Sequence, residues 1–171
     1  MNALEIHREA IEWTNWLLEA VMADVTAEQA HWTPPGIANP LGALYAHAVL
    51  DQDVIVNAIL KGGAPLYASS WADRCGVEDP RYQLDLEWAR AVQIDLDALR
   101  AYAKAVYASV LAYLDGLSEA DLEREVDLSA NGLGVRSVGW MLTALIAAHT
   151  NNMAGEISCL KGLQGAQGYP F

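Results

Sequence analysis

The residues best suited to chemistry are four histidines, two cysteines and the acidic side chains spaced around them. His47 and Asp51 stand four positions apart in LYAHAVLDQD. His149, Asn152 and Glu156 recur at helical spacing in AAHTNNMAGE. Side chains three or four positions apart share a helix face, so each stretch can present an imidazole beside a carboxylate. Such a carboxylate can orient the ring and fix its tautomer. Two helices that each bring this pair to an interior could hold a divalent ion. The plainer alternative is a pair of core histidines, each satisfied by a hydrogen bond. His7 falls on an apolar stripe near a helix end, where packing is the simpler role. His31 lies in the AHWTPP connection, outside any periodic segment, and is expected to be structural or exposed.

The cysteines offer less. Cys75 and Cys159 form no CxxC, so neither a zinc knuckle nor a thioredoxin-type site is indicated. Cys159 reads as a small buried hydrophobe. Cys75, in the loop-like WADRCG, could be reactive, although nothing adjacent lowers its pKa. No phosphate-binding loop, GxGxxG or triad context is present.

Four amphipathic stretches must position these groups. They run over about 3–23, 39–61, 84–116 and 137–163, with apolar residues at a 3.6-residue rhythm. Asn39 reads as a cap ahead of Pro40 at the first helical position. The third stretch is long enough to break or bend. Ser118-x-x-Asp121 resembles a capping box for one short turn. Asn131-Gly132 and Gly134 suggest a turn or small hairpin. No run is long enough for a sheet. One all-α domain, a four-helix bundle over residues 1–171, is the economical way to hide four stripes.

Composition bounds the partners. The 171 residues carry a formal net charge of −12, with 53% hydrophobic and 19% charged residues. A phosphate backbone demands a basic footprint, so nucleic acid is excluded, and an anionic membrane surface is disfavoured. The N-terminus has no apolar signal region, and no 18-residue unbroken apolar run occurs. A cytoplasmic, reduced protein is expected. The exposed-looking Trp13 and Trp16 of the first stretch suggest a homodimer surface.

Two stretches resemble the DinB-like superfamily: VTAEQAHWTPPGIANPLGALYAHAVLDQD (25–53) and SVGWMLTALIAAHTNNMAGEISCLKGLQG (137–165). The resemblance implies a four-helix bundle with a metal site near one end. Characterised relatives are implied to be thiol-dependent transferases or isomerases that use low-molecular-weight thiols. Their ion is held by three histidines, one on the second helix and two on the fourth. Carried across, the first ligand falls on His47, the second on His149 and the third on Met153. A thioether is a soft, neutral donor that replaces imidazole poorly for Zn²⁺, Ni²⁺ or Mn²⁺. The resemblance therefore implies a site that is lost, or rebuilt with a carboxylate from Glu156 or Asp51.

Three functions remain open: a metal- and thiol-dependent transferase or hydrolase, a metal-free small-molecule binder, and a structural homodimer with a vestigial site. The missing imidazole favours the last two. In the binder, Tyr45, Asp51, Trp140, Asn152, Met153 and Glu156 would line a pocket beside the two histidines.

Overall fold

The computed structural model describes residues 2–171. Helix α1 (Ala3–Met22) opens with a reciprocal cap: the Asn2 side chain accepts from the Glu5 amide, and the Glu5 carboxylate accepts from the Asn2 amide. Its buried side, Ile11, Thr14, Leu18 and Val21, is the expected stripe. A short α2 (Ala27–His31), capped by Thr26, leads into α3 (Leu41–Asp53), which continues as a π-helical segment through Leu60. Asn39 is not the cap of α3. Pro40 takes an extended conformation, φ −56° and ψ 142°, and itself precedes the first helical residue, so the Asn39 side chain sits one position too early.

The third amphipathic stretch is two helices, α4 (Leu86–Ala91) and α5 (Leu96–Asp115). Val92 turns extended between them, and Asp95 caps the second by accepting from the amides of Asp97 and Ala98. The break is used for docking. Ile94 bridges Val77, the Asp95 amide donates to the Gly76 carbonyl, and the Ile94 amide donates to His31 Nε2 at 3.1 Å. Gly76 has φ +79°, and a Cβ there would meet the Leu99 backbone at 2.4 Å, so only glycine fits this approach. The Ser118–Asp121 capping box forms as expected. The Asn131-Gly132 turn joins β1 (Glu125–Asp127) to β2 (Val135–Ser137), an antiparallel ribbon in a chain otherwise free of strands among the described residues.

The last amphipathic stretch begins as α6 (Val138–Met141), passes through a π-helical segment (Leu142–Ala148) and ends as α7 (His149–Leu163). The bundle closes as a ring: α1 packs on α7, α7 on α3, α3 on α5 and α5 on α1. Among the described residues, the Leu41–Leu60 stretch alone is long and apolar enough to cross a membrane by length and composition. Of its most apolar window, 78% is buried in the bundle. The fold is thus the expected all-α four-helix bundle.

A buried carboxylate pins the irregular 64–83 segment to the bundle. Asp53 is fully buried, and it accepts from the amides of Leu66 and Tyr67, from Asn57 Nδ2 at 2.7 Å and from the Tyr102 hydroxyl at 2.5 Å. Asp53→Ala would strand these donors in an apolar interior. It is expected to cost about 3–5 kcal/mol, read by urea denaturation. A loss below about 1 kcal/mol would mean that the segment is held by other contacts.

Candidate functional site

His47 and Asp51 lie one turn apart on α3, and His149 begins α7, which packs against α3. The structure brings these three together. The imidazoles of His47 and His149 meet edge to face, with centroids 5.0 Å apart and planes at 90°. Asp51 Oδ2 lies 3.3 Å from His149 Nδ1, within ion-pair distance but without hydrogen-bond alignment. The Nδ1 atoms of both histidines are buried and without a hydrogen-bond partner among the described residues.

Burial sets the protonation of all three. It pushes the Asp51 carboxyl up to about 7. It depresses His47 to about 4, with the His149 ring adding to that effect and the Tyr82 backbone opposing it. His149 is lowered by burial as well. Near neutral pH both imidazoles are uncharged, while Asp51 is poised between a carboxyl that donates and a carboxylate that accepts.

A cavity of about 300 Å³ adjoins the cluster, with Asp51 in its wall. Val54, Ile55 and Ile59, from the π-helical end of α3, and Leu145, from the facing π-helical segment, supply apolar wall. The hairpin contributes Leu128 and Leu133. At the rim, Asn131 Nδ2 donates to the Tyr82 hydroxyl at 2.8 Å and ties the hairpin to the 64–83 segment.

The second π-helical segment explains why the sequence misjudges this face. A π turn inserts a residue and rotates all that follows. The regular stripe would run Val138, Met141, Leu142, Leu145, His149, Asn152 and Glu156. The buried side instead runs Val138, Met141, Leu142, Ile146, Thr150, Met153 and Ile157, one residue later past the insertion. His149 therefore moves from the stripe's centre to its edge. Asn152 and Glu156 turn out to solvent, away from the cavity wall. Met153 is buried, also outside that wall. Trp140 is 36% exposed beneath the Arg136 guanidinium and does not line it. Tyr45 lies within the bundle, where its hydroxyl and that of Tyr107 both donate to Glu19 at 2.8 Å.

The remaining candidates are structural. His31 Nδ1 donates to the Ala27 carbonyl at 2.8 Å while its Nε2 accepts from Ile94. His7 sits by Gly139 at the start of α6. Cys75 is buried and its thiol is pushed up by burial, which disfavours a reactive thiolate. Cys159 is exposed rather than the buried hydrophobe expected, and both cysteines are free. A larger cleft of about 690 Å³ beneath residues 72–80 holds no imidazole. Sequence reasoning missed Asp53, Gln52 and Tyr82. The two α3 residues were legible only as polar positions in an apolar helix, and Tyr82 carried no periodic signal.

A helical bundle with a half-buried imidazole pair beside an apolar cavity that Asp51 lines is thus the class of protein that fold and site define. A DinB superfamily model matches residues 10–157, and the chain belongs to that superfamily. A crystal structure of a conserved protein from Enterococcus faecalis superposes with a TM-score of 0.79. Identity is 20%, over 95% of this chain and 97% of that one, and the likeness extends to the fold. No curated protein matches. The donors present do not fit a three-imidazole metal centre. Two imidazoles converge, and among the described residues no group of three histidine, cysteine, aspartate or glutamate side chains is placed to hold an ion.

Asp51 marks the site's pH dependence. Its folded carboxyl titrates near 7, whereas an unfolded one titrates at about 4. The folded chain keeps a proton that the unfolded chain releases, so this residue's contribution to stability falls as pH rises from about 4 to 7. His47 acts oppositely, weakening the fold as pH falls from about 6.5 to 4, but it is common to both proteins in a comparison. Asp51→Asn is therefore expected to gain on wild type by on the order of 2–4 kcal/mol between pH 5 and pH 8. Denaturant melts at the two pH values measure this. A difference that does not change with pH would contradict the buried, unpaired carboxyl.

Proposed function

We propose that this DinB-superfamily bundle binds a small molecule in the cavity beside His47, His149 and Asp51, at what was laid out as a metal centre and is now degenerate. The observation that carries this reading is an apolar cavity with Asp51 in its wall, beside two imidazoles whose Nδ1 atoms have no hydrogen-bond partner among the described residues. Apolar walls with a few convergent polar groups are the usual form of a ligand site. Met153 stands where the resemblance calls for a third imidazole, and its thioether is a poor substitute for hard divalent ions. The two neutral imidazoles then serve as hydrogen-bonding groups toward a ligand, and Asp51 serves as the chargeable one.

A second reading is favoured by the two partnerless Nδ1 atoms. A divalent ion on His47 and His149 would need Asp51 to move into a three-donor set that the described residues do not form, and would make the protein a metal- and thiol-dependent transferase or hydrolase. Metal analysis of protein purified without an affinity tag separates the two. Wild type is expected to carry well under one Zn²⁺, Ni²⁺ or Mn²⁺ per chain, and Met153→His to take up metal toward one per chain. Near-stoichiometric metal in wild type that disappears in His149→Ala would reject the metal-free reading and select the transferase.

A further inference from the structure

Asp51 is the one carboxylate in the cavity wall, and among the described residues no lysine or arginine pairs with it. Its side chain is only 15% exposed. The groups around it are the His149 ring, 3.3 Å away, the His47 ring behind that, and the Tyr82 phenol across the cavity. Burial depresses both imidazoles and a phenol carries no positive charge, so none supplies a cation. At the rim, the Asn131 side-chain amide donates to the Tyr82 hydroxyl.

Resting on the small-molecule reading above, we infer that the cavity takes a compact amphipathic amine. Its ammonium pairs with the Asp51 carboxylate, and its hydrocarbon body lies against Val54, Ile55, Ile59 and Leu145. The inference follows from complementarity. A neutral apolar ligand would seal a carboxylate into an apolar site without a partner, which is costly. An anion would meet that carboxylate and a chain of net charge −12. A cation gains from both, because the field of an acidic protein raises the local concentration of positive ligands.

Isothermal titration of the full chain at pH 8 with n-hexylamine, n-hexanol and hexanoate tests the assignment, since the three share a hydrocarbon body and differ in head group. Hexylamine is expected to bind at least tenfold more tightly than hexanol, with hexanoate weakest, and Asp51→Asn to erase the amine's advantage. Leu145→Trp, which fills the cavity, is expected to abolish binding of both amine and alcohol in a protein whose circular dichroism remains wild type. If hexanol matches hexylamine, or if Asp51→Asn keeps the preference, the ammonium assignment falls while the cavity reading stands. If hexylamine binds Leu145→Trp undiminished, it is held by the acidic surface and the assignment falls. If none of the three binds wild type, the cavity reading falls with it.

Discussion

Three consecutive polar residues, Asp51, Gln52 and Asp53, sit near the end of a helix that the bundle surrounds on almost every side. A polar group in such a place is costly unless it is paired. Successive residues on a helix point about 100° apart, so the three cannot share a partner, and each must draw a different element toward α3. Gln52 donates to Asn15 on α1 at 2.8 Å and to Thr150 on α7 at 2.9 Å. Asp53 gathers Tyr102 of α5 and the amides of the 64–83 segment. Asp51 faces His149 and the cavity. The other three bundle helices and the main irregular segment are thus located by one short polar run, and apolar packing fills the space between.

Most of this was legible in the sequence to a limited depth. Four stripes at helical period, the Ser118–Asp121 box and the Asn131-Gly132 turn each depend on nearest neighbours along the chain, and local patterns report such features well. His47, His149 and Asp51, the last as an alternative to Glu156, were among the residues singled out, because a polar residue beside an apolar stripe is conspicuous. What did not come through has a physical cause. A π turn is stabilised by the partner helix and leaves no signature in a period-3.6 count, so Asn152 and Glu156 were placed on the wrong side. Tyr45 was placed on the histidines' side because the count gives a residue's face without its partner, and that partner, Glu19, lies on another helix. Tyr82 belongs to a segment whose course is dictated by Asp53 and by the Gly76 contact with α5, both long-range.

The same register shift shapes the site. Had the fourth amphipathic stretch stayed regular, His149 would lie at the centre of the buried stripe, against the core. Displaced to the edge, it meets Asp51, which lines a space that the facing π-helical segments leave open. Backbone irregularity on both sides of one cavity is a common device for placing side chains where a regular helix cannot.

The distribution of unmet hydrogen bonds argues that this space serves a purpose beyond stability. Among the described residues, the buried side-chain nitrogens and oxygens without partners are His47 Nδ1, His149 Nδ1, Gln52 Oε1 and Arg81 Nε. Three of the four belong to α3 and α7, around the trio. Elsewhere the bundle satisfies its buried polar groups with care: Asp53 engages four donors, and Glu19 accepts two hydroxyls. A sequence shaped for stability alone would replace the imidazole pair and Asp51 with apolar side chains and close the cavity, since such exchanges are often neutral or stabilising. Departures from local consistency concentrate at functional sites. A bundle that satisfies Asp53 and Glu19 yet leaves bonding capacity open beside Asp51 has the pattern that the proposed ligand site requires.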